Sequence, residues 1–234
     1  MAKYLLLLLV SILGAATSTP SRSCNQVYSV IDYGAVGDGD TDDTQAFKDA
    51  WKDVCKSSSC SPIIQVPGGK TFLLQPLTFN GECKPDQIIF QVDGTIKAPS
   101  DPNDWKCHGN KYCKQWITFD EVANLVIRGS GTVDGRGSTW WERHSSCKGH
   151  KHKDKRDSPQ MHIAFDRAEW VHASNLTVQA PGDSPNTDGI HLQHAKHIFI
   201  DHSRIMTGDD CISIGDGSSQ INISRIACGP GHGI

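Results

Sequence analysis

Three aspartates and one histidine near the end of the 234-residue chain have the residue types and spacing to do chemistry: Asp188, Asp209, Asp210 and His232. Asp188, Asp210 and His232 recur at a 22-residue spacing, and each stands two residues before an isoleucine, Ile190, Ile212 or Ile234. If those isoleucines stack on successive turns of a repeating fold, the polar groups form a ladder with rungs about 4.8 Å apart. Asp209 then lies beside the middle rung. Carboxylates that close raise at least one pKa, which lets an acid and a base coexist near neutral pH. Such a pair can split a bond with water. Backbone preference explains a single aspartate in a Gly-rich turn, but not three titratable rungs in register with the middle one doubled.

The elements that must hold this ladder show the same period. Ile163 and Phe165 recur as Ile190 and Leu192, then as Ile212 and Ile214. A second pair, Val171 and Ala173, recurs as Ile198 and Ile200, then as Ile221 and Ile223 after a one-residue slip; a third rung is marked by Val178, Ile205 and Ile226. Upstream, β-rich runs at residues 27–31, 63–66, 71–74, 88–92, 116–119 and 125–127 are separated by Gly, Pro, Asn and Asp. Short strands alone leave sandwich, barrel and solenoid open. Turns of about 22 residues with three strands each favour a parallel β-helix, because each strand must pair with its copy one turn on. One helix interrupts the pattern: Asp42 is expected as its N-cap with Gln45 as capping-box partner, and Ala46, Phe47, Ala50, Trp51 and Val54 form its apolar stripe. The Asp-rich run 38–42 is not an EF-hand loop, since Asp43 and Asp49 stand where Gly and a bidentate Glu are needed.

Composition narrows the class. With 23 Lys plus Arg against 26 Asp plus Glu, the net charge of −3 gives no general field for nucleic acid. Hydrophobic residues at 37% and charged residues at 21% exclude a disordered chain, and nine cysteines without any CxxC pair exclude zinc-finger spacing. Lys3, the apolar run 4–13 and the small residues Gly14, Ala15 and Ala16 read as a secretory signal peptide over residues 1–18. The apolar run is shorter than the roughly 17 to 25 residues of a membrane span. One domain is expected over 25–234, with an N-terminal cap at about 27–60. Export permits disulfides and fits two glycan sequons, at Asn175 and Asn222.

The segments Asn186-Thr187-Asp188-Gly189, Gly208-Asp209-Asp210-Cys211 and Gly231-His232-Gly233 resemble three of the four signature segments of plant polygalacturonases, glycoside hydrolase family 28. The resemblance extends over nearly the whole mature chain, through Tyr33-Gly34-Ala35 with Asp38-Gly39, the Gly-rich run 131–137, Trp140-Trp141 and Ser158-Pro159-Gln160-Met161-His162-Ile163. It implies a right-handed parallel β-helix and hydrolysis of α-1,4-galacturonosyl bonds in pectin with inversion. Carried over by position, it implies Asp209 as general acid and Asp188 with Asp210 as the pair that activates water. His232 would sit beside the acid, and Asn186 would hydrogen-bond substrate. No metal or other cofactor is implied. The implied partner is pectin at the cell wall, met by a secreted monomer that binds neither nucleic acid nor membrane. The family pattern also implies a Cys211–Cys228 disulfide, with Cys55–Cys83 and Cys107–Cys113 expected beside it.

Two departures bear on activity. The fourth signature, an Arg-Ile-Lys segment that grips substrate carboxylates, has no counterpart up to Ile234, and about one turn is missing between Trp141 and Ser158. The chain therefore reads as a truncated form, with Cys147 lacking a partner and the basic stretch 148–156 a solvated loop. His191, His194, His197 and His202 are expected on outer faces without a role. The alternatives to an active hydrolase are an impaired pectin-binding fragment and a β-helix lyase of the pectate-lyase type, which uses Ca²⁺ and a basic residue.

Overall fold

The computed structural model describes residues 24–101, 104–106, 115–136, 161–182, 184 and 187–234. The expected leader, Cys107, Cys113, Cys147, Asn186 and the basic stretch 148–156 lie outside the described residues.

Among the described residues, nineteen strands form three parallel sheets of seven, seven and five strands, each built by stacking strands from successive turns. The first sheet stacks β1 (Val27–Ser29), β3 (Ile63–Val66), β6 (Ile88–Val92), β9 (Ala123–Arg128), β12 (Glu169–Ser174), β15 (Lys196–Asp201) and β18 (Ser219–Ser224). The second stacks β2 (Asp38–Asp42), β4 (Thr71–Leu73), β7 (Thr95–Lys97), β10 (Thr132–Asp134), β13 (Thr177–Gln179), β16 (Arg204–Met206) and β19 (Ala227–Cys228). The third stacks β5 (Leu77–Asn80), β8 (Gln115–Asp120), β11 (Met161–Asp166), β14 (Asp188–Gln193) and β17 (Ile212–Ile214). The molecule is a parallel β-helix.

The register explains why this sequence adopts it. Ile117, Ile163, Ile190 and Ile212 pair in one column of the third sheet, and Phe79, Phe119, Phe165, Leu192 and Ile214 pair in the next inward column. A strand alternates its faces, so each turn adds one apolar layer to a continuous core. Phe79, Phe119 and Phe165 stack with ring centroids 5.1 and 5.7 Å apart. The first sheet repeats the device with Val171, Ile198 and Ile221.

Four local details differ from expectation. The third rung in the second sheet is Cys228, paired with Ile205, and not Ile226, because the one-residue slip seen between Ile198 and Ile221 persists through the rest of that turn. The strand expected at 27–31 stops at Ser29, and Val30–Tyr33 form a 3-10 turn that ends on Gly34 in the left-handed region. The helix α1 (Thr44–Lys56) is capped at Asp43, one residue later than expected. Asp43 turns its carboxylate to the backbone N–H groups of Val36 and Gly37, whereas Asp42 accepts from the N–H and hydroxyl of Thr44. Finally, Asp38–Asp42 forms a strand despite its composition, held by pairing with Thr71 and Leu73.

α1 buries its apolar stripe over the end of the solenoid formed by β1, β3 and β5. Phe47 meets Phe72, and Trp51 meets Phe79 and Phe119 while donating its indole N–H to the Asn80 carbonyl. Disulfides join Cys55 to Cys83 and Cys211 to Cys228, and a third, which no sequence argument had paired, joins Cys24 to Cys60. Among the described residues no helix is long and apolar enough to cross a membrane.

Candidate active site

The acidic ladder lies at the corner where the second sheet gives way to the third. Asp188 opens β14, and Asp209 and Asp210 occupy the connection from β16 to β17, one turn further on. Pairing of Ile190 with Ile212 carries Asp188 and Asp210 onto adjacent rungs. The last rung is offset: Asp210 bridges to Gly233, not to His232. The offset sets His232 against Asp209, with Nδ1 2.9 Å from Asp209 Oδ1 and the His232 N–H donating to the Asp209 carbonyl at 3.0 Å. Asp209 is only 22% exposed at its side chain, His232 73%. The shielded carboxyl thus has an imidazole nitrogen within hydrogen-bond distance on one side.

Small groups hold these loops at their separation. A Cβ at Gly231 would stand 1.9 Å from the Asp209 carbonyl oxygen, so only glycine lets the 231–233 segment approach the acid. Gly208 donates its N–H to Thr187 Oγ1, which also meets Ser184 Oγ, tying the loop before Asp188 to the loop carrying Asp209. The Cys211–Cys228 disulfide fixes the strand after the acid pair to the last turn.

Asp188 has its pKa raised, chiefly by burial and further by the charges of Asp209 and Asp210, while a hydrogen bond from Ser213 pulls it down. The like-charge effect expected from the ladder is therefore present, with burial the larger cause. Below it, His162 is buried and its Nδ1 lies 2.9 Å from the Asp188 carbonyl oxygen. Burial pushes its pKa down, so the neutral ring donates from Nδ1 and fixes the backbone of Asp188. His162 Nε2 has no hydrogen-bond partner, and a Cβ at Gly135 would come within 2.0 Å of it. Glycine there makes the room for the ring.

Sequence reasoning missed His162, Ser213 and His191 as members of the site. His191, expected to carry no role, has its Nδ1 2.8 Å from Ser213 Oγ, which donates to Asp188 Oδ2 at 2.6 Å. Strand alternation was the available signal: Ser213 between Ile212 and Ile214 must face outward, beside the acids. Both expected glycan sites, Asn175 and Asn222, are exposed. Donor atoms of Asp209, Asp210 and His232 lie within 4.8 Å of one another, close enough to hold a cation. The arrangement equally suits proton transfer, with His232 Nδ1 2.9 Å from Asp209 Oδ1.

The same corner continues toward the N-terminal turns as a cavity of about 350 Å³ lined by Asp40, Asp42, Gln75, Lys97, Lys106 and Arg136 among others. Arg136 follows β10, two rungs from β16, and Lys97 ends β7, three rungs away, a separation of those strands of roughly 10 to 15 Å. Lys97 is 14% exposed and pairs only loosely with Asp40 at 3.8 Å; Lys106 pairs with Asp42 at 3.4 Å. The family model described as glycosyl hydrolases family 28 matches residues 55–157 and 154–234. A polygalacturonase from Persea americana is 44% identical over 237 residues, covering 92% of this chain and 49% of that protein. Among solved structures, a polygalacturonase from Erwinia carotovora superposes with a TM-score of 0.63 at 21% identity, covering 94% of this chain and 66% of that one. An endo-xylogalacturonan hydrolase from Aspergillus tubingensis gives 0.64 at 24% identity, over 89% and 59%. The chain spans about half the length of the curated relatives it matches.

Proposed function

The chain belongs to glycosyl hydrolase family 28, and on that footing we propose that it is a secreted enzyme that hydrolyses the α-1,4-galacturonosyl bonds of pectin with inversion, in the plant cell wall. The observation that carries the reading is the shielded Asp209 paired with His232 at 2.9 Å, one turn from Asp188, whose proton affinity is raised. On this reading its histidine contact singles out Asp209 as the acid, and the raised proton affinity of Asp188 suits it to take a proton from water. Asp209 gives its proton to the glycosidic oxygen as the bond to the anomeric carbon breaks. Asp188 and Asp210 take a proton from water on the opposite face, and the oxygen of that water bonds to the same carbon. Two carboxylic functions in those roles are the general requirement of inverting glycoside hydrolysis. His232 holds the Asp209 proton in place, and His162 holds the Asp188 backbone. Asn186, in the family-like segment Asn186-Thr187-Asp188-Gly189, is assigned the hydrogen bond to substrate by that resemblance.

The substrate class rests on the family, because the cavity on the same corner balances Lys97, Lys106 and Arg136 with Asp40, Asp42 and Asp104. Arg136 is the lining residue suited to a uronate, since an Arg–carboxylate pair is among the stronger contacts available. The mature protein is taken to be a single β-helix domain from about residue 25, acting as a monomer without cofactor. Incubating the purified chain with polygalacturonate is expected to release reducing ends with no rise in ultraviolet absorbance. An ultraviolet-absorbing, unsaturated product would instead mark a lyase, and no product from a folded chain would leave at most a pectin-binding role.

A further inference from the structure

The outward face of the third sheet carries a hydrogen-bond chain that the scheme above leaves idle. Asp188 Oδ2 accepts from Ser213 Oγ at 2.6 Å, and Ser213 Oγ lies 2.8 Å from His191 Nδ1. The sheet sets this geometry: His191 and Ser213 are direct partners on neighbouring strands, and Asp188 opens the strand that bears His191. Ser213, His191 and Asp188 are each only partly exposed.

A hydroxyl has one proton and two lone pairs, so the chain has two orders. With Asp188 ionised, Ser213 donates to Asp188 and His191 Nδ1–H donates to Ser213. With Asp188 protonated, Asp188 donates to Ser213 and Ser213 donates to an unprotonated His191 Nδ1. Both orders use every polar atom in line, and switching between them moves a proton from one end to the other.

Resting on the reading of Asp188 as a base, we propose that Ser213 and His191 discharge Asp188 after each turnover by passing its proton to the imidazole. Asp188 gives its proton to Ser213 Oγ while Ser213 gives its own to His191 Nδ1. The imidazole, already carrying a proton on Nε2, becomes an imidazolium and releases that Nε2 proton to solvent. Asp188 is left ionised, the serine keeps one proton, and exchange with solvent restores the starting tautomer of His191. Among the described residues, the titratable groups that face Asp188 are Asp209 and Asp210 from the next turn, His191 from its own strand, and His162 from the preceding turn, whose Nδ1 meets the Asp188 carbonyl. The preceding turn sets Met161 and Ala164 in register with Asp188 and His191, and neither titrates. Ser213 and His191 are positioning residues here: they act through Asp188 and do not touch the sugar.

The test is a carbon-13 NMR titration of the aspartate carboxyls in the full chain, with Asp188 identified by the signal lost in Asp188→Asn, run beside steady-state kinetics on polygalacturonate. Ser213→Ala is expected to move the Asp188 midpoint upward, since the carboxylate loses a donor. The same variant is expected to shift the acid limb of the pH–rate profile upward and lower kcat roughly tenfold, with KM little changed. Ser213→Thr keeps the hydroxyl and restores both, which also separates the effect from misfolding. His191→Gln is expected to lower kcat alone. An Asp188 midpoint unmoved in Ser213→Ala, or a moved midpoint with kcat intact, overturns the relay in an enzyme that otherwise works. A folded parent without turnover removes the hydrolase reading itself, a distinct result.

Discussion

Asp209→Asn is expected to reduce release of reducing ends from polygalacturonate by at least about a hundredfold, the usual scale for losing a positioned general acid. The amide has the shape of the carboxyl and can still face His232 Nδ1, which lies 2.9 Å from Asp209 Oδ1 in the parent. The backbone contact from the His232 N–H to the residue 209 carbonyl is untouched, so the loop should keep its place. What the amide lacks is a proton it can surrender to the departing sugar oxygen. Circular dichroism and the unfolding midpoint should match the parent while kcat falls. A variant that turns over within a few-fold of the parent would remove Asp209 from the role of acid.

Phe119→Ala should be the most destabilising single change in the core, by about 3–5 kcal/mol. Phe119 is 2% exposed and packs against Trp51, Phe79, Phe90 and Phe165 at centroid distances of 5.9, 5.1, 5.7 and 5.7 Å. It is thus the joint between the capping helix and the stacked column. A backbone fixed on both sides by ladder pairing cannot collapse into the hole, which is the condition for the upper end of that range. Against a total stability of about 5–15 kcal/mol, the loss should appear as a large fall in the urea midpoint. The comparison variant Phe199→Ala, at a side chain 42% exposed, should change it by no more than about 0.5 kcal/mol. Equal midpoints for the two variants would mean that the aromatic column is not what holds the turns together.

The repeating part of the architecture was legible because alternation and period come from the same cause. Ile163, Ile190 and Ile212 had to face inward and had to pair, and the structure pairs them. The residues that escaped the period did so where something other than core burial decides. Asp38–Asp42 is poor in strand formers and is made a strand by its neighbours Thr71 and Leu73. Ile226 looked like the next rung, but Cys228 takes it, because a slip of one residue in a loop passes to every later strand of that turn. The same sort of slip moved His232 off the Asp210 rung and onto Asp209, an adjacency that the family resemblance implied and the period alone did not. The Ser213–His191 chain was hidden for a different reason: it runs straight across two paired strands on the outer face, and a periodic reading weighs the inner one. His162 belongs to one of the family-like segments, but its contact to the Asp188 carbonyl depends on room opened by Gly135 on another turn.

Hydrolysis with inversion needs an acid and a base acting from opposite faces of the anomeric carbon. The most direct measurement is proton NMR of the anomeric signal in the first minutes of polygalacturonate hydrolysis by the purified chain, before mutarotation mixes the products. Inversion at an α-linked galacturonate predicts that the β-anomer of the new reducing end appears first and the α-anomer grows in later. An α-anomer formed first would mean that a carboxylate attacks the sugar directly, contradicting the roles given to Asp188, Asp209 and Asp210.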